Sequence, residues 1–251
     1  MANNQIPCAV ITGANGGIGQ ALVRAFELEG YAVIATDLSR PSVDLPSKHF
    51  IQADLQKMVI DENYADERFA EIRKRLNGSP LKVLINNAGI QMLGKVEHLT
   101  RQDWRTTFEI NLLAPFFFAQ ALLPELEGAR GCIINISSIH ARLTKREFAA
   151  YATSKAALSG LTRSLALEMG DRIRVNAIEP AAIDTEMLKV GFEGRPDEFS
   201  QLEGYHPTQC IGKPEEIGRL ATMLASEKLS FLNGATVPLD GGIGGCLHDP
   251  S

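Results

Sequence analysis

Short runs of β-branched and aliphatic residues recur along this chain, each followed by a stretch long enough for a helix, and that alternation restricts the fold more than any other feature. Runs at 9–12, 32–35, 50–53, 83–85, 132–136 and 174–178 read as buried strands, with 235–239 as a last one. Candidate helices fall at 17–29, 61–76, 102–126, 152–169 and 214–226. Strands that are apolar throughout are covered on both faces, so the pattern predicts an α/β fold with a doubly wound parallel sheet of about seven strands and helices on both sides. A length of 251 residues suits a single domain, 1–251, and no linker, repeat or low-complexity tract divides it. The segment from about 185 to 213, rich in glycine and proline, breaks the alternation and reads as a substrate loop, or as a solvated connector with a short helix.

Composition excludes several classes. A net charge of −5 gives no electrostatic reason to expect nucleic acid or an anionic membrane as partner. No apolar run approaches the ~20 residues that cross a bilayer; the most apolar one, 114–123, is interrupted by Pro115 and Gln120. The amino terminus has neither a basic start nor an apolar signal core, so a cytoplasmic location is expected. Cys8, Cys132, Cys210 and Cys246 form no C-x-x-C pair, and no metal site is expected; Cys8 and Cys132 sit in apolar runs and read as buried small hydrophobes.

After the first strand comes Thr12-Gly-Ala-Asn-Gly-Gly-Ile-Gly19, then an amphipathic stretch. Glycines allow a tight turn and close backbone approach, and the helix start offers free N–H groups, an environment that suits a pyrophosphate. The spacing is G-x-x-x-G-x-G rather than G-x-G-x-x-G. Gly13, Asn15, Gly17, Ile18 and Gly19 are therefore candidate cofactor ligands. Asp37 ends the second strand, where a carboxylate accepts from ribose hydroxyls and repels a 2′-phosphate. Asn15 stands where a basic residue would contact such a phosphate, so NAD is expected rather than NADP. Arg40 argues the other way, and a helix cap is the plainer reading of Asp37.

Tyr151-Ala-Thr-Ser-Lys155 places a phenol and an amine four residues apart, on one face if helical. A tyrosine with an ordinary pKa near ~10 needs help to act as a base at neutral pH, and a nearby ammonium, a cationic nicotinamide and a dry cleft supply it together. Tyrosine and lysine at this spacing are common on surfaces, but this pair follows a strand ending Asn135-Ile-Ser-Ser138, and strand carboxyl ends are where open α/β sheets bind ligands.

With these motifs in order, the chain resembles the short-chain dehydrogenase/reductase family from about residue 6 to about residue 244. The glycine turn, Asn86-Asn87-Ala88-Gly89 after the fourth strand, a serine thirteen residues before the tyrosine, the Tyr-x-x-x-Lys pair and Asp240-Gly241-Gly242 all match. The resemblance implies a Rossmann-like fold and a catalytic set of Asn111, Ser138, Tyr151 and Lys155. Ser138 would bind the substrate oxygen, and Tyr151 would act as general base or acid. Lys155 would hold the nicotinamide ribose, and Asn111 would bind water in a proton relay through its helix backbone. It also implies Asp54 and Leu55 at the adenine, Asn87, Ala88 and Gly89 beside the cofactor, and Pro180, Ile183 and Thr185 at the nicotinamide. The chain departs from the family pattern at Glu179-Pro180-Ala181, where Pro-Gly is usual, and the extra methyl is expected to shift the backbone there.

Gln91, Met92, His140, Arg142, Glu179, Met187, Tyr205 and His206 are expected to border the carbonyl site, with Gln91, His140, Glu179 and Tyr205 as substrate contacts. His140, Glu179 and Gln91 favour a sugar, polyol or hydroxy acid; Met92, Met187 and Phe192 favour a more apolar ketone. The expected activity is therefore NAD-dependent interconversion of a secondary alcohol and a ketone on a polar substrate. The rivals are a 3-oxoacyl-[acyl-carrier-protein] reductase using NADPH and a non-catalytic NAD-sensing protein. The resemblance further implies a homotetramer or dimer built on the helices at 102–126 and 152–169, and the tail from Gly244 to Ser251 is long enough to reach a neighbouring subunit.

Overall fold

The structure is a computed structural model and describes residues 5–42, 45 and 49–246. Its strands are β1 (Cys8–Thr12), β2 (Ala32–Asp37), β3 (His49–Gln52), β4 (Leu81–Asn86), β5 (Cys132–Ile136), β6 (Arg174–Pro180) and β7 (Thr236–Leu239). They form one sheet in the order β3-β2-β1-β4-β5-β6-β7, with every neighbouring pair parallel. The expected doubly wound sheet is thus present.

The helices are α1 (Gly17–Leu28), α2 (Leu55–Ile60), α3 (Glu62–Leu76), α4 (Arg101–Phe108), α5 (Ala114–Ala121), α6 (Leu123–Ala129), α7 (Ala149–Glu168), α8 (Glu186–Gly191), α9 (Pro196–Gly204) and α10 (Pro214–Ala225). Alternation along the strands feeds two cores. Val10, Ile34, Leu84, Ile133 and Val175 pack against Phe69, Phe118, Leu126 and Leu165 on one face of the sheet. Ile11, Val33, Ile85, Ile134 and Ile178 pack against Leu22, Phe26, Ile217 and Leu224 on the other. At ~1.5–3 kcal/mol for each large apolar side chain fully buried, the two layers dominate what holds the sheet in place. Cys8 and Cys132 are buried and Cys210 and Cys246 exposed, all as free thiols; burial pushes Cys8 up to about 12.

The helix expected over 102–126 is broken in two places, and both breaks have prolines behind them. Between α4 and α5 the chain makes a π-helical turn, Glu109–Leu113, in which the Ala114 N–H donates to the Glu109 carbonyl. Pro115 has no N–H, so the Asn111 carbonyl lacks the donor four residues on that an α-helix would supply. Pro124 lies at the start of α6, where a missing N–H costs nothing, and the axis bends by 58° there. Helix α2 was not expected; Asp54 caps it by accepting from the Lys57 N–H at 3.1 Å. The 185–213 segment is more regular than expected, since it holds α8 and α9.

No single helix among the described residues is long and apolar enough to cross a membrane. Of the tail from Gly244 to Ser251, whose reach to a neighbouring subunit the sequence leaves open, residues 247–251 lie outside the described residues.

Candidate active site

The strand order reverses between β1 and β4, and in an open parallel sheet the crevice beyond the strand carboxyl ends at that point is where a ligand fits. The glycine turn leaves β1 there. Gly13 has a φ of +64°, and a Cβ on it would lie 2.7 Å from Ala88 Cα; on Gly19 a Cβ would lie 2.0 Å from the Gly13 carbonyl. Both positions admit only glycine. Asn87 stitches the turn to the end of β4, its Nδ2 donating to the Thr12 and Gly13 carbonyls at 2.9 Å. The Thr12 hydroxyl accepts from the Asn87 and Ala88 N–H groups at 3.0 and 3.1 Å. Helix α1 begins with Gly16 as its cap and no side chain on its first N–H groups. Those donors, in a cradle that added methyl groups would fill, fit a pyrophosphate. Thr185, which caps α8, lies over the same turn: a Cβ on Gly17 would meet its Cγ2 at 3.0 Å.

Asp37 ends β2 and turns towards this cradle. Its carboxylate accepts from the Asn15 N–H at 2.9 Å and from the Ser39 N–H at 3.2 Å. The Asn15 side chain clasps the loop beyond β2, donating to Ser39 Oγ and the Arg40 carbonyl at 2.8 Å each and accepting from the Ser42 N–H at 2.9 Å. Arg40 thus meets Asn15 through its backbone. Asp54 is held as the cap of α2, with its own N–H donating to the Tyr64 hydroxyl at 3.1 Å. Leu55 packs against the core.

Ser138, Tyr151, Lys155 and Asn111 come together at the carboxyl ends of β4 and β5. Tyr151 and Lys155 lie on the buried face of α7, one turn apart. Burial raises the Tyr151 pKa, and hydrogen bonds from the Ser138 and Gln91 side chains pull it back only in part. The Lys155 Nζ lies 5.8 Å from the Tyr151 ring centre and donates to the Ile136 carbonyl at 2.8 Å. Burial lowers its pKa to about 8. In the chain's own groups desolvation outweighs what lowers the Tyr151 pKa, in keeping with the expectation that Lys155 needs a cationic nicotinamide beside it to make the tyrosine acidic. Gly89 joins Lys155 to Asn111: a Cβ there would lie 3.3 Å from Lys155 Nζ and 3.4 Å from Asn111 Oδ1. The Asn111 amide is fully occupied, accepting from the Ile90 N–H and donating to the Ile90 carbonyl and Ser154 Oγ, which fixes the π-helical turn against the loop after β4.

His140 completes the wall. Its ring stacks on Phe148 with centres 4.4 Å apart and meets the Tyr151 ring edge-on at 5.8 Å. Burial, reinforced by Lys145, lowers its pKa to about 4, so the imidazole is neutral at physiological pH; its Nδ1 is buried without a hydrogen-bond partner. Gln91, Ser138 and His140 therefore surround one phenol.

Other expected substrate residues are placed differently. Glu179 is 1 % exposed and both its oxygens are taken, one by Ser159 Oγ at 2.9 Å and one by Arg142 Nε at 2.8 Å. It lies beneath the cleft wall rather than on it, because a buried carboxylate without partners would be far too costly. Tyr205 is exposed, and His206 is buried with Nδ1 against the Leu202 carbonyl, docking the segment after α9 onto Gly241. Met187 is exposed, and Phe192 pairs with Phe199. Ile183 is buried and bridges to Gly212. Ala181 has no positive φ, and its N–H donates to the Leu239 carbonyl at 3.1 Å, so its methyl is carried without backbone strain.

The sequence reading missed a second row of polar residues behind the first. Ser137 donates to the Lys155 carbonyl at 3.1 Å and lies 2.8 Å from Ser159 Oγ. Asn86 donates to Asn135, which donates to Thr162. A signal was there: Tyr151, Ser154, Lys155, Ser159 and Thr162 recur at helical spacing on the face that α7 buries.

Residues 13–244 match a family model described as enoyl-(acyl carrier protein) reductase. Protein FixR of Bradyrhizobium diazoefficiens is 36% identical over 93% of this chain and 85% of its own length. D-threitol dehydrogenase of Mycolicibacterium smegmatis is 32% identical over 93% of this chain and 91% of its own. The ligand-free structure of Thermoplasma acidophilum aldohexose dehydrogenase superposes with a TM-score of 0.90 at 31% identity, covering 98% of this chain and 97% of that one. With the parallel sheet, the glycine cradle and the Ser–Tyr–Lys cluster, these matches show that the chain belongs to the short-chain dehydrogenase/reductase family, an NAD(P)-dependent oxidoreductase of CH–OH groups.

Proposed function

We propose that this protein is an NAD-dependent dehydrogenase that interconverts a secondary alcohol and a ketone, on a polar substrate such as a sugar, polyol or hydroxy acid. The observation that carries the reading is the convergence of Ser138, Gln91 and His140 on the Tyr151 phenol, with Lys155 buried behind it. In alcohol oxidation Ser138 holds the substrate oxygen and Tyr151 takes the hydroxyl proton; in the reverse direction Tyr151 returns it. With NAD bound, Lys155, held by the Ile136 carbonyl, would hold the nicotinamide ribose hydroxyls and pass the proton outward. The Asn111 carbonyl, deprived of its helical donor by Pro115, is the acceptor for the water that continues the relay. NAD supplies the hydride acceptor, and the protein's part is to orient it and hold the oxygen.

Glycine positions 13, 17 and 19 seat the pyrophosphate, with Ile18 in the first turn of α1. Asn87, Ala88, Gly89, Pro180, Ile183 and Thr185 would hold the nicotinamide end, and Asp54 and Leu55 would flank the adenine. NAD is preferred because Asp37 offers a carboxylate to the ribose hydroxyls and Asn15 closes the loop where a 2′-phosphate would sit. His140 is neutral and meets the Tyr151 ring edge-on, and a polar ring beside the reacting phenol favours a substrate with a second hydroxyl near the reacting carbon. D-threitol dehydrogenase and aldohexose dehydrogenase among the relatives agree with such a substrate. A homo-oligomer is part of the same reading, with the exposed Trp104 and Leu113 on the helices before α5 as apolar surface to cover.

The test is a panel of aldohexoses, polyols, hydroxy acids and simple secondary alcohols, followed by NADH absorbance with NAD and NADP in parallel. Turnover of a polyhydroxy member with NAD supports the reading. A preference for NADP overturns the role given to Asp37, and absence of turnover on every member overturns the activity.

A further inference from the structure

Three loops leave the carboxyl ends of β5, β6 and β7, and one arginine touches all of them. Arg142 follows the short helical turn Ile139–Ala141 after β5; its Nε donates to Glu179 Oε2 near the end of β6 at 2.8 Å, and its Nη2 lies 3.7 Å from Asp240 Oδ2 just beyond β7. Glu179 is fully buried while Arg142 is half-exposed, so the carboxylate is the fixed inner end of the pair.

The inner oxygen starts a chain. A carboxylate only accepts, so the contact at 2.9 Å requires Ser159 to donate to Glu179 Oε1. With that proton committed, Ser159 Oγ accepts in its 2.8 Å contact with Ser137 Oγ, and the Ser137 proton is shared between Ser159 and the Lys155 carbonyl at 3.1 Å. Ser137 precedes Ser138 in sequence, and the Lys155 carbonyl belongs to the helical turn that bears the buried ammonium. One buried charge thus sets the direction of the hydrogen bonds by which Ser137, next to Ser138, is tied through Ser159 to the lysine helix.

We propose that Glu179, anchored by Arg142, is a positioning residue of the active site. It acts through Ser159 and Ser137 to hold Ser138 and Lys155 in register about Tyr151. The inference rests on the reading of Ser138, Tyr151 and Lys155 as the reacting set. An amide at 179 keeps the volume but presents donors as well as an acceptor, so the chain loses its fixed polarity. Loss of the Ser159 hydroxyl cuts the chain and leaves the Arg142–Glu179 pair intact.

The experiment compares wild type, Glu179→Gln, Ser159→Ala, Ser159→Thr and Tyr151→Phe, with NAD and whichever panel alcohol the wild type oxidises best. The expected result is a fall in kcat of about tenfold in Glu179→Gln and about fivefold in Ser159→Ala, the scale set by small misplacements of reacting groups. The KM for NAD should stay within about twofold, because the pyrophosphate cradle is untouched, and Ser159→Thr should recover most of the loss by restoring the hydroxyl. Should Glu179→Gln fail to fold, the two Ser159 variants carry the test. Unchanged kcat in the folded variants, with only a lowered Tm, overturns the proposal and makes the network structural. A Tyr151→Phe protein as active as wild type, or a wild type without turnover on any panel member, removes the parent reading and this inference with it.

Discussion

The Lys155 ammonium donates to the Ile136 carbonyl at 2.8 Å, and no carboxylate among the described residues offsets its burial. Its pKa falls from 10.5 to about 8, which corresponds to roughly 3 kcal/mol of strain on the charged form. Below pH 8 both folded and unfolded states carry the proton and the cost is present in full. Between about pH 8 and 10.5 the folded state has released it and the unfolded state has not, so stability rises with pH across that window. Lys155→Met is therefore expected to raise Tm at pH 7 by about 5–10 °C, to lose that advantage by pH 10.5, and to abolish turnover. Calorimetry at the two pH values checks it; equal Tm values at pH 7 contradict the burial argument.

His140 titrates in the opposite region. Its folded-state pKa of about 4 lies below the ordinary 6.5, so above pH 6.5 both states are neutral and stability is complete. As pH falls from 6.5 towards 4 the unfolded chain gains a proton that the folded imidazole refuses, and stability is lost. His140→Phe keeps a ring against Phe148 and removes this component of acid sensitivity, measurable as a shallower dependence of urea midpoint on pH. His140→Ala is expected to raise KM for the alcohol with little change in NAD affinity. Unaltered substrate kinetics would take His140 out of the substrate site.

The proposed preference for NAD rests on two residues in contact, the Asn15 backbone and the Asp37 side chain. Asn15 donates its N–H to Asp37 at 2.9 Å and closes the loop beyond β2 with three further hydrogen bonds. Replacing both, Asn15→Arg with Asp37→Ser, removes a like charge and adds a donor for a 2′-phosphate. The ratio of kcat/KM for NADP to that for NAD should rise by roughly a hundredfold, the scale of one charge-assisted hydrogen bond gained and one repulsion removed. An unchanged ratio falsifies the clasp as the discriminating device.

Two glycines of the turn make a sharper pair. A methyl on Gly16 would meet only the Gly13 carbonyl, at 3.6 Å, whereas one on Gly19 would overlap that oxygen at 2.0 Å. Gly16→Ala should keep NADH binding, read by fluorescence titration, and Gly19→Ala should lose it or fail to fold. Equal behaviour of the two variants would mean that the turn is more pliable than its packing indicates.

Much of this was legible in the chain because backbone periodicity and glycine leave strong marks. Continuous apolar runs such as Cys132–Ile136 foretold a sheet buried on both faces, and the turn from Gly13 to Gly19 foretold the cradle. What stayed hidden was the direction in which polar side chains face. Glu179 ends a run of apolar strand residues and reads as a cleft residue, but pleating turns it inward, where Arg142, distant in sequence, makes its burial tolerable. Ser137 and Ser138 are adjacent and chemically identical; spacing to Tyr151 singled out Ser138, but only the fold commits Ser137 to Ser159 and the Lys155 carbonyl. The pKa of Tyr151 was unreadable for the same reason, since desolvation depends on everything packed around it.

The break in the long helix was marked in the sequence by Pro115, and it yields the last prediction. An alanine at 115 restores an N–H four residues after Asn111, and the segment Arg101–Ala121 can then close as one regular α-helix. That helix satisfies the Asn111 carbonyl internally and withdraws it from the water of the proposed relay. Alanine also has the higher helix propensity, so Pro115→Ala should match or exceed wild type in Tm. Its kcat should nonetheless fall by about tenfold, with NAD affinity unchanged, because general acid–base relays contribute on at least that scale. A variant of higher Tm and undiminished kcat would show that the π-helical turn owes nothing to Pro115 or that the carbonyl takes no part in proton transfer. A fall in kcat together with a fall in Tm would instead indicate that the turn is held by its packing.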